Sequence, residues 1–551
     1  MTAEDSAALA PEPAAGAAAG QAALSDGDVD WLWLSGRSLI VRPVTDLIRL
    51  LPVLLGVLFF GSSRGGGGYW GFGFAALAVV TSVVRFCTTR YRITAERVYL
   101  RHGLFNQQVL SMPRDRVRSV DTSAHVVYRL LGLRKVEIGT GRNDRREGKS
   151  VRLDAVTLRD AEALRATLLT GSAQAAAGVS GSGAAAAGQP SASPAARPER
   201  ELARLRPSWV RFAPLTLTGL VIVGVVVGSG AQVLDATHID FTAIGPVHRL
   251  SLRFGALPPG QRVLDGAVAV LAVLVLLSVA GYIALFWNFR LTSQDGALRV
   301  SRGLLSTRTT TIDARRLRGA ELSEPLLLRA ARGARCLAIT TGLRVGHGAE
   351  RGGSLLLPPA PRRVARQVAA LVLASTAAPG AAGMADTAEP FSCELVRHGP
   401  AARRRRYVRA VGGAALADIA LAVLWQAGVV PGWAALAALV LLPLSAVVAA
   451  DRYASLGHRL CGGWLVTRTG SLVRRRSVLS TDGIIGWRIH QSWFQRRQGL
   501  VSLAATTAAG RQDYVAHDIP VADALTVAAT ATDLLTPFLT RPFAGHAGPE
   551  R

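Results

Sequence analysis

The sequence predicts an α + β membrane protein: six transmembrane helices in three hairpins, each hairpin followed by a small helix-capped antiparallel β domain. Three observations predict it. Long apolar runs come in pairs, arginines flank each pair on its outer sides, and one ordered series of residues recurs after every pair.

Composition sets the frame. Half of the 551 residues are hydrophobic and the mean hydropathy is +0.29 although 18% are charged, so apolar residues are concentrated locally. Lysine and arginine number 63 against 37 acidic residues, a net charge of +26, and the lysines are Lys135 and Lys149. Such a balance suits nucleic acid or protein faces beside an anionic bilayer. Cys87, Cys336, Cys393 and Cys461 lie far apart without a CxxC pair. That spacing argues against a disulfide framework or structural zinc and for reduced thiols in a cytoplasmic compartment. Residues 1–36 begin Ala-rich and acidic, with no basic segment before an apolar core, and read as a disordered cytoplasmic tail rather than a signal peptide.

The apolar runs are Val44–Phe60 with Tyr69–Val84, Phe212–Val233 with Val263–Trp287, and Ala410–Val429 with Trp433–Ala450. A helix needs about 20 residues to span a hydrocarbon core of about 30 Å, and Tyr69–Val84 is the short member of the set. Arginine placement sets the orientation. Arg37, Arg42, Arg85 and Arg90 flank the first pair, Arg204, Arg206, Arg211 and Arg290 the second, and Arg403–Arg406, Arg409, Arg452 and Arg459 the third. The connections inside the pairs are poorer in arginine, the Leu234–Arg262 loop being the weakest case. Both termini and all three β domains are therefore expected in the cytoplasm.

After each pair a series repeats in register. A glycine (Gly103, Gly303, Gly470) is followed 26 residues later by an arginine (Arg129, Arg329, Arg496). A second glycine follows at 29, 30 and 29 residues (Gly132, Gly333, Gly499). Tyr91–Thr94, Val98–Arg101 and Lys135–Ile138 alternate with the period of a half-buried strand. The first glycines sit where two such runs meet, so a tight turn with positive φ accounts for them. Each copy closes in a helical stretch: Leu158–Leu169, Arg362–Leu373 and Val521–Leu535. The organisation expected is a tail (1–36), hairpin (37–86), β domain (87–170), flexible linker (171–203), hairpin (204–288), β domain (289–375), linker (376–402), hairpin (403–453), β domain (454–538) and tail (539–551).

These residues, a hairpin followed by Arg-[Ile/Leu]-Thr, Gly-Leu, Arg, Gly-Leu, Thr-Gly and a terminal helix, resemble the bacterial pleckstrin-homology-like membrane proteins of the YdbS/YdbT type. The third copy departs from the pattern, with Cys461 for the Thr and Gly483 where the others carry Arg116 and Arg316. The resemblance implies PH-like β domains and a bacterial inner-membrane address. It implies neither an enzyme nor particular binding residues.

Chemistry-bearing motifs are sparse. Gly148-Lys149-Ser150 looks like the tail of a phosphate loop, but Asn143 opens the interval where a glycine is needed and Val151-Arg-Leu reads as a strand. Asp235, His238, Asp240 and His248 in the outer loop match no rigid metal-ligand spacing. No Gly-x-Ser-x-Gly elbow at a strand-to-helix turn accompanies any Ser-His-Asp set, the Gly61–Gly65 match lying in the short loop between the first two apolar runs. Two basic clusters lie away from helix ends: Arg142, Arg145, Arg146 and Lys149, and Arg474, Arg475 and Arg476. Both are expected on solvated faces able to touch anionic headgroups, at about 1 kcal/mol per basic residue. The expectation is a non-enzymatic membrane scaffold without cofactor or metal and without nucleic acid. Its partners would be the bilayer and its headgroups, further copies of itself, or another membrane protein, in a role such as envelope-stress tolerance. The rival is a transporter or channel component. Its weakness is the few intramembrane charges, Asp46, Arg49 and Asp418.

Overall fold

The computed structural model of the chain describes residues 32–33, 88, 90–94, 97–102, 107–113, 119–139, 151–160, 199–216, 256–294, 296–341, 354–375 and 390–532. The apolar runs Val44–Phe60 and Tyr69–Val84, Gly103, the cluster Arg142, Arg145, Arg146 and Lys149, and the Leu234–Arg262 loop up to residue 255 lie outside them.

In the first repeat, β1 (Leu32–Trp33), β2 (Arg90–Ile93), β3 (Arg97–His102) and β4 (Gln108–Pro113) precede β5 (Ser119–His125). The short helix α1 (Val126–Leu130), β6 (Leu133–Gly139) and β7 (Val151–Thr157) complete it. The second repeat opens with β8 (Arg200–Arg204), a 3-10 helix (Pro207–Leu215) and the long helix α2 (Pro259–Phe286). Its β domain runs β9 (Arg290–Gln294), β10 (Ala297–Arg302), β11 (Ser306–Asp313), β12 (Leu317–Pro325), α3 (Leu326–Ala330), β13 (Gly333–Thr340), β14 (Leu355–Pro361) and α4 (Arg362–Ala374). In the third repeat α5 (Pro400–Gln426), α6 (Gly432–Ala438) and α7 (Leu441–Ala454) form the hairpin. There follow β15 (Gly457–Cys461), β16 (Trp464–Thr469), β17 (Val473–Ser480), β18 (Gly486–His490), α8 (Trp493–Arg496), β19 (Leu500–Thr506), β20 (Asp513–Pro520) and α9 (Val521–Ala531).

The strands do not close into three separate domains. They form four antiparallel sheets with orders β1-β2-β3-β4, β7-β6-β5-β11-β10-β9-β8, β14-β13-β12-β17-β16-β15 and β18-β19-β20. Each repeat contributes one half-sheet before its 3-10 turn or loop and another after it. The second half of one repeat is continued by the first half of the next. The second β domain is therefore a sandwich whose two sheets each extend into a neighbour. Its core packs Trp209, Phe212, Phe289, Leu291, Leu356 and Val372, and Val466 and Val478 of the third repeat belong to the same cluster. Helix α4 caps it because Ala365, Val368, Ala369, Val372 and Leu373 recur at three- and four-residue steps and are all buried.

Three helices among the described residues are long and apolar enough to cross a membrane: Pro259–Phe286, Pro400–Gln426 and Gly432–Ala454. The last is α6 and α7 in succession. The start of the expected third span, Phe212–Leu215, belongs to the 3-10 helix, whose Trp209, Phe212 and Ala213 are buried in the second domain. Pro207 and Pro214 suit a short turn of this kind rather than a long helix. Arg403–Arg406 lie inside α5 rather than before it. Neither linker is wholly a linker: β8 pairs with β9, and Val396 bridges His458 in β15 with Phe391, Cys393 and His398 buried. Leu32–Trp33, assigned to the tail, pairs with Arg90–Tyr91. The segment before the hairpin thus adds to the first strand after it in all three repeats.

Candidate functional site

The repeat junctions are where the recurring glycines and arginines converge. At the first junction β5 runs antiparallel to β11, from Ser119 opposite Ile312 to His125 opposite Ser306. At the second, β12 runs against β17, from Gly319 opposite Leu479 to Pro325 opposite Val473. A Cβ on Gly319 would lie 2.0 Å from the Val478 carbonyl oxygen, so glycine is what allows the partner strand to approach.

The glycine that opens β11 and β17 makes the turn. Gly303 has φ +110 and Gly470 φ +96, and an added Cβ would lie 2.0 Å from the Ser306 oxygen and 2.1 Å from that of Val473. The turn docks against the end of α2, where the Gly303 amide donates to the Trp287 carbonyl and the Leu304 amide to that of Ala284, both at 2.9 Å. The second glycine series needs one correction. The left-handed position is Gly132 (φ 69), Arg332 (φ 57) and Gly499 (φ 63), so Arg332 and not Gly333 is in register. Gly333 is small for another reason: a side chain there would meet Leu328 at 2.6 Å and Phe212 at 2.8 Å.

The recurring arginine reaches across the junction. Arg129 Nη1 donates to the Leu304 carbonyl of the second repeat at 3.1 Å, and Arg329 Nη1 to the Ser471 carbonyl of the third at 3.5 Å. Arg329 also pairs with Asp451 at 2.8 Å near the end of α7. The same carboxylate takes Arg474 at 3.3 Å and accepts from Ser471 Oγ at 2.8 Å. This network ties the second domain, the third domain and the membrane hairpin to one residue.

A carboxylate and an arginine of adjacent repeats pair across each ladder. Arg308 meets Asp121 at 2.8 Å at the first junction. At the second, Glu321 faces Arg475 at 3.6 Å and Arg511 at 3.2 Å and accepts from Ser477 Oγ at 3.3 Å. Burial pushes the Glu321 carboxyl up despite the opposing pull of Arg511, the Ser477 hydroxyl and Arg335.

These contacts overturn the solvated-face reading of Arg474, Arg475 and Arg476. All three lie on β17 and turn toward protein: Arg474 Nε also donates to Ser455 Oγ at 3.0 Å, and Arg476 donates to the Cys393 carbonyl at 2.7 Å and that of Pro390 at 3.2 Å. They join the second and third repeats and the segment before the third hairpin. Cys461, the residue that breaks the repeat pattern, lies within hydrogen-bonding reach of Cys393, and burial pushes its thiol up to about 12.

A second polar cluster seats the third hairpin on its domain. Asp518, fully buried, pairs with Arg405 and, at 2.6 Å, with Arg406, and accepts from Gln495 Nε2 at 2.9 Å. Gln495 is held by a capping box with Ser492 at the start of α8. Beside it, His398 and His458 stand 3.0 Å apart, both buried. Burial, then His458, holds His398 down to about 4. Sequence reasoning missed every acidic member of these sites. Among the described residues no group of three or more His, Cys, Asp or Glu could hold a metal ion.

Comparison with known proteins agrees with this repeat unit. Residues 45–171, 217–376 and 413–534 each match the family described as "Bacterial PH domain"; the last match begins within α5, and the second and third end just past α4 and α9. The chain is 23% identical over 255 residues to the UPF0699 transmembrane protein YdbT of Bacillus subtilis (strain 168), covering 45% of this chain and 49% of that protein. It thus spans about half the length of that relative. No solved structure matches the chain. With three successive matches that together cover most of its length, the chain belongs to the bacterial PH domain family.

Proposed function

We propose that the chain is a non-enzymatic membrane-anchored scaffold whose three PH-like domains form one continuous body on the cytoplasmic surface and present it for protein assembly. One observation carries this reading: the domains share sheets, so their relative placement is set by seven-residue ladders at each junction rather than by linkers. A body of fixed shape is what a scaffold needs. Among the described residues every strongly bonded charge cluster at the junctions is engaged in structural contacts, and none forms an arrangement of base, nucleophile and oxyanion donors that argues for catalysis.

The same pairing supports a reading with six spans. β8 lies before α2 in the chain and pairs with β9 after it, so both belong on one side of the bilayer. One crossing by α2 then calls for another between residues 216 and 259, and the apolar run to Val233 is the candidate for it. β1 with β2 argues likewise for an even number of crossings in the first hairpin. The arginine bias supports the cytoplasmic face of a bacterial inner membrane for this side. Headgroup contact is retained for Arg142, Arg145, Arg146 and Lys149, which precede β7.

The test is limited proteolysis of inside-out membrane vesicles carrying the full chain. The β domains should resist as one unit, with cuts confined to the connections around residues 171–198 and 376–389. Separate release of intact single domains would overturn the reading. So would solute flux in proteoliposomes that disappears with Asp418→Asn, which would make the chain a transporter component.

A further inference from the structure

Among the described residues, each of the two unshared sheets ends in a strand without the partner that its counterparts have. Counted from the turn glycines, β4 occupies the place of β11 and β17, and β18 the place of β5 and β12. Both internal β11 and β17 have the preceding repeat's strand on their outer edge. Among the described residues β4 is paired by β3 alone and β18 by β19 alone. The two free edges are the two halves of the junction that the chain builds twice within itself.

Resting on the scaffold reading, we propose that the partner is a second copy of this chain: β18 of one copy pairs antiparallel with β4 of the next, in the register of the internal junctions. That register is the same at both. The residue 16 places after one turn glycine opposes the residue 9 places after the next, Ser119 with Ile312 and Gly319 with Leu479. Carried over, Gly486 faces Met112, Trp487 faces Ser111, Arg488 faces Leu110, Ile489 faces Val109 and His490 faces Gln108.

Three further observations support the match. Gly486 stands where Gly319 makes room for the partner strand. Arg496 is the third arginine of the series that bonds the following repeat's turn; it is exposed and makes no such side-chain bond among the described residues. Val109 and Ile489, opposite one another in this register, are 58% and 44% exposed. The ion pairs of the internal junctions are absent here, since Arg488 and Gln108 take the places of the acid and the arginine. No like charges collide, and the contact is the weakest of the three, as suits one made between chains. All copies share the bilayer plane, which raises their effective concentration, and a heterologous contact of this kind propagates beyond a dimer. Edge-strand addition supplies the main-chain bonds.

The experiment uses the full chain with its four cysteines replaced. Two differently tagged copies, one carrying Val109→Cys and the other Ile489→Cys, are co-expressed and treated in native membranes with a short thiol-to-thiol cross-linker. A product bearing both tags is expected, with a ladder of larger species when one chain carries both cysteines. Arg496→Ala should lower the apparent association about tenfold, the loss of one charge-assisted hydrogen bond. Absence of the doubly tagged product, or a purely intramolecular link in the doubly substituted chain, would overturn the proposal. If the domains still resist proteolysis as one unit, that failure is confined to the choice of partner and the scaffold reading survives it.

Discussion

Neutralising two of the buried carboxylates, Asp518 and Glu321, should give very different losses, and the difference tests how the hairpin and the domains are joined. Asp518 is fully buried, and its partners Arg405 and Arg406 have side chains only 13% and 17% exposed. Asp518→Asn keeps a residue that tolerates the left-handed backbone there (φ 57) and can still hydrogen-bond Gln495. It leaves two guanidinium groups without a counter-charge and with little access to water. Breaking a buried pair from one side costs about 3–5 kcal/mol. Glu321 is as buried, but Arg475 and Arg511 are 35% and 33% exposed and can turn to solvent. Glu321→Gln should therefore cost about 1–2 kcal/mol, near the range for a lost hydrogen bond to a charged group. Hydrogen exchange of the full chain in nanodiscs reads both, at β20 and α8 for the first variant and at β12 and β17 for the second. Equal losses, or a loss below about 1 kcal/mol for Asp518→Asn, would refute the idea that solvent access of the arginines sets the cost.

Gly303→Ala and Gly470→Ala should each lower the thermal midpoint far more than Gly499→Ala, because their Cβ atoms meet backbone oxygens at about 2 Å whereas nothing lies within 4 Å of one at Gly499; the third variant bears only backbone strain of about 1 kcal/mol. Docking of the segment around Val396 should weaken in acid. His398 is held down to about 4 from an ordinary 6.5, so the unfolded segment binds the extra proton first, and stability is full above about pH 6.5 and declines toward pH 4; exchange of the Val396 amide, which donates to the His458 carbonyl at 3.0 Å, measures it, and equal protection at both ends of that range would refute it. A spin label on Arg146→Cys should lose access to a water-soluble quencher in nanodiscs containing anionic lipid and keep it in zwitterionic ones; no difference at low salt would remove the headgroup contact.

The strands and the turn glycines were legible because they are local. Alternation marks β2, β3 and β6, and Gly303 and Gly470 sit in turns that exclude any side chain. Strand partners were not legible in the same way. A strand's edge groups bond any extended neighbour, and three similar repeats offer several neighbours of equal pattern. One signal did exist. An acid stands 18 residues after the turn glycine in the first two copies (Asp121, Glu321), and an arginine 5 residues after it in the last two (Arg308, Arg475). That stagger is what pairing between successive copies requires. Asp451 and Asp518 gave no such hint, since each acts once, between a hairpin and a β domain. Arg474–Arg476 misled because a run of three arginines looks solvated until the acids that meet it are found.

Sheet sharing also changes what the connecting segments do. Flexible linkers between independent domains would let each hairpin drift in the bilayer plane, and the domains would act as three tethered units. Here a relative movement of the second and third hairpins would have to part the β12–β17 ladder or pull Asp451 from Arg329 and Arg474. Parting the ladder strands two rows of main-chain groups and exposes Val478, which sits in the second domain's core cluster. The second and third hairpins are thus held at fixed spacing by the shared sheet and by Asp451. Rigidity of this order makes the terminal edges as well placed for pairing as the internal ones, because neither β4 nor β18 has to be ordered at the moment of contact.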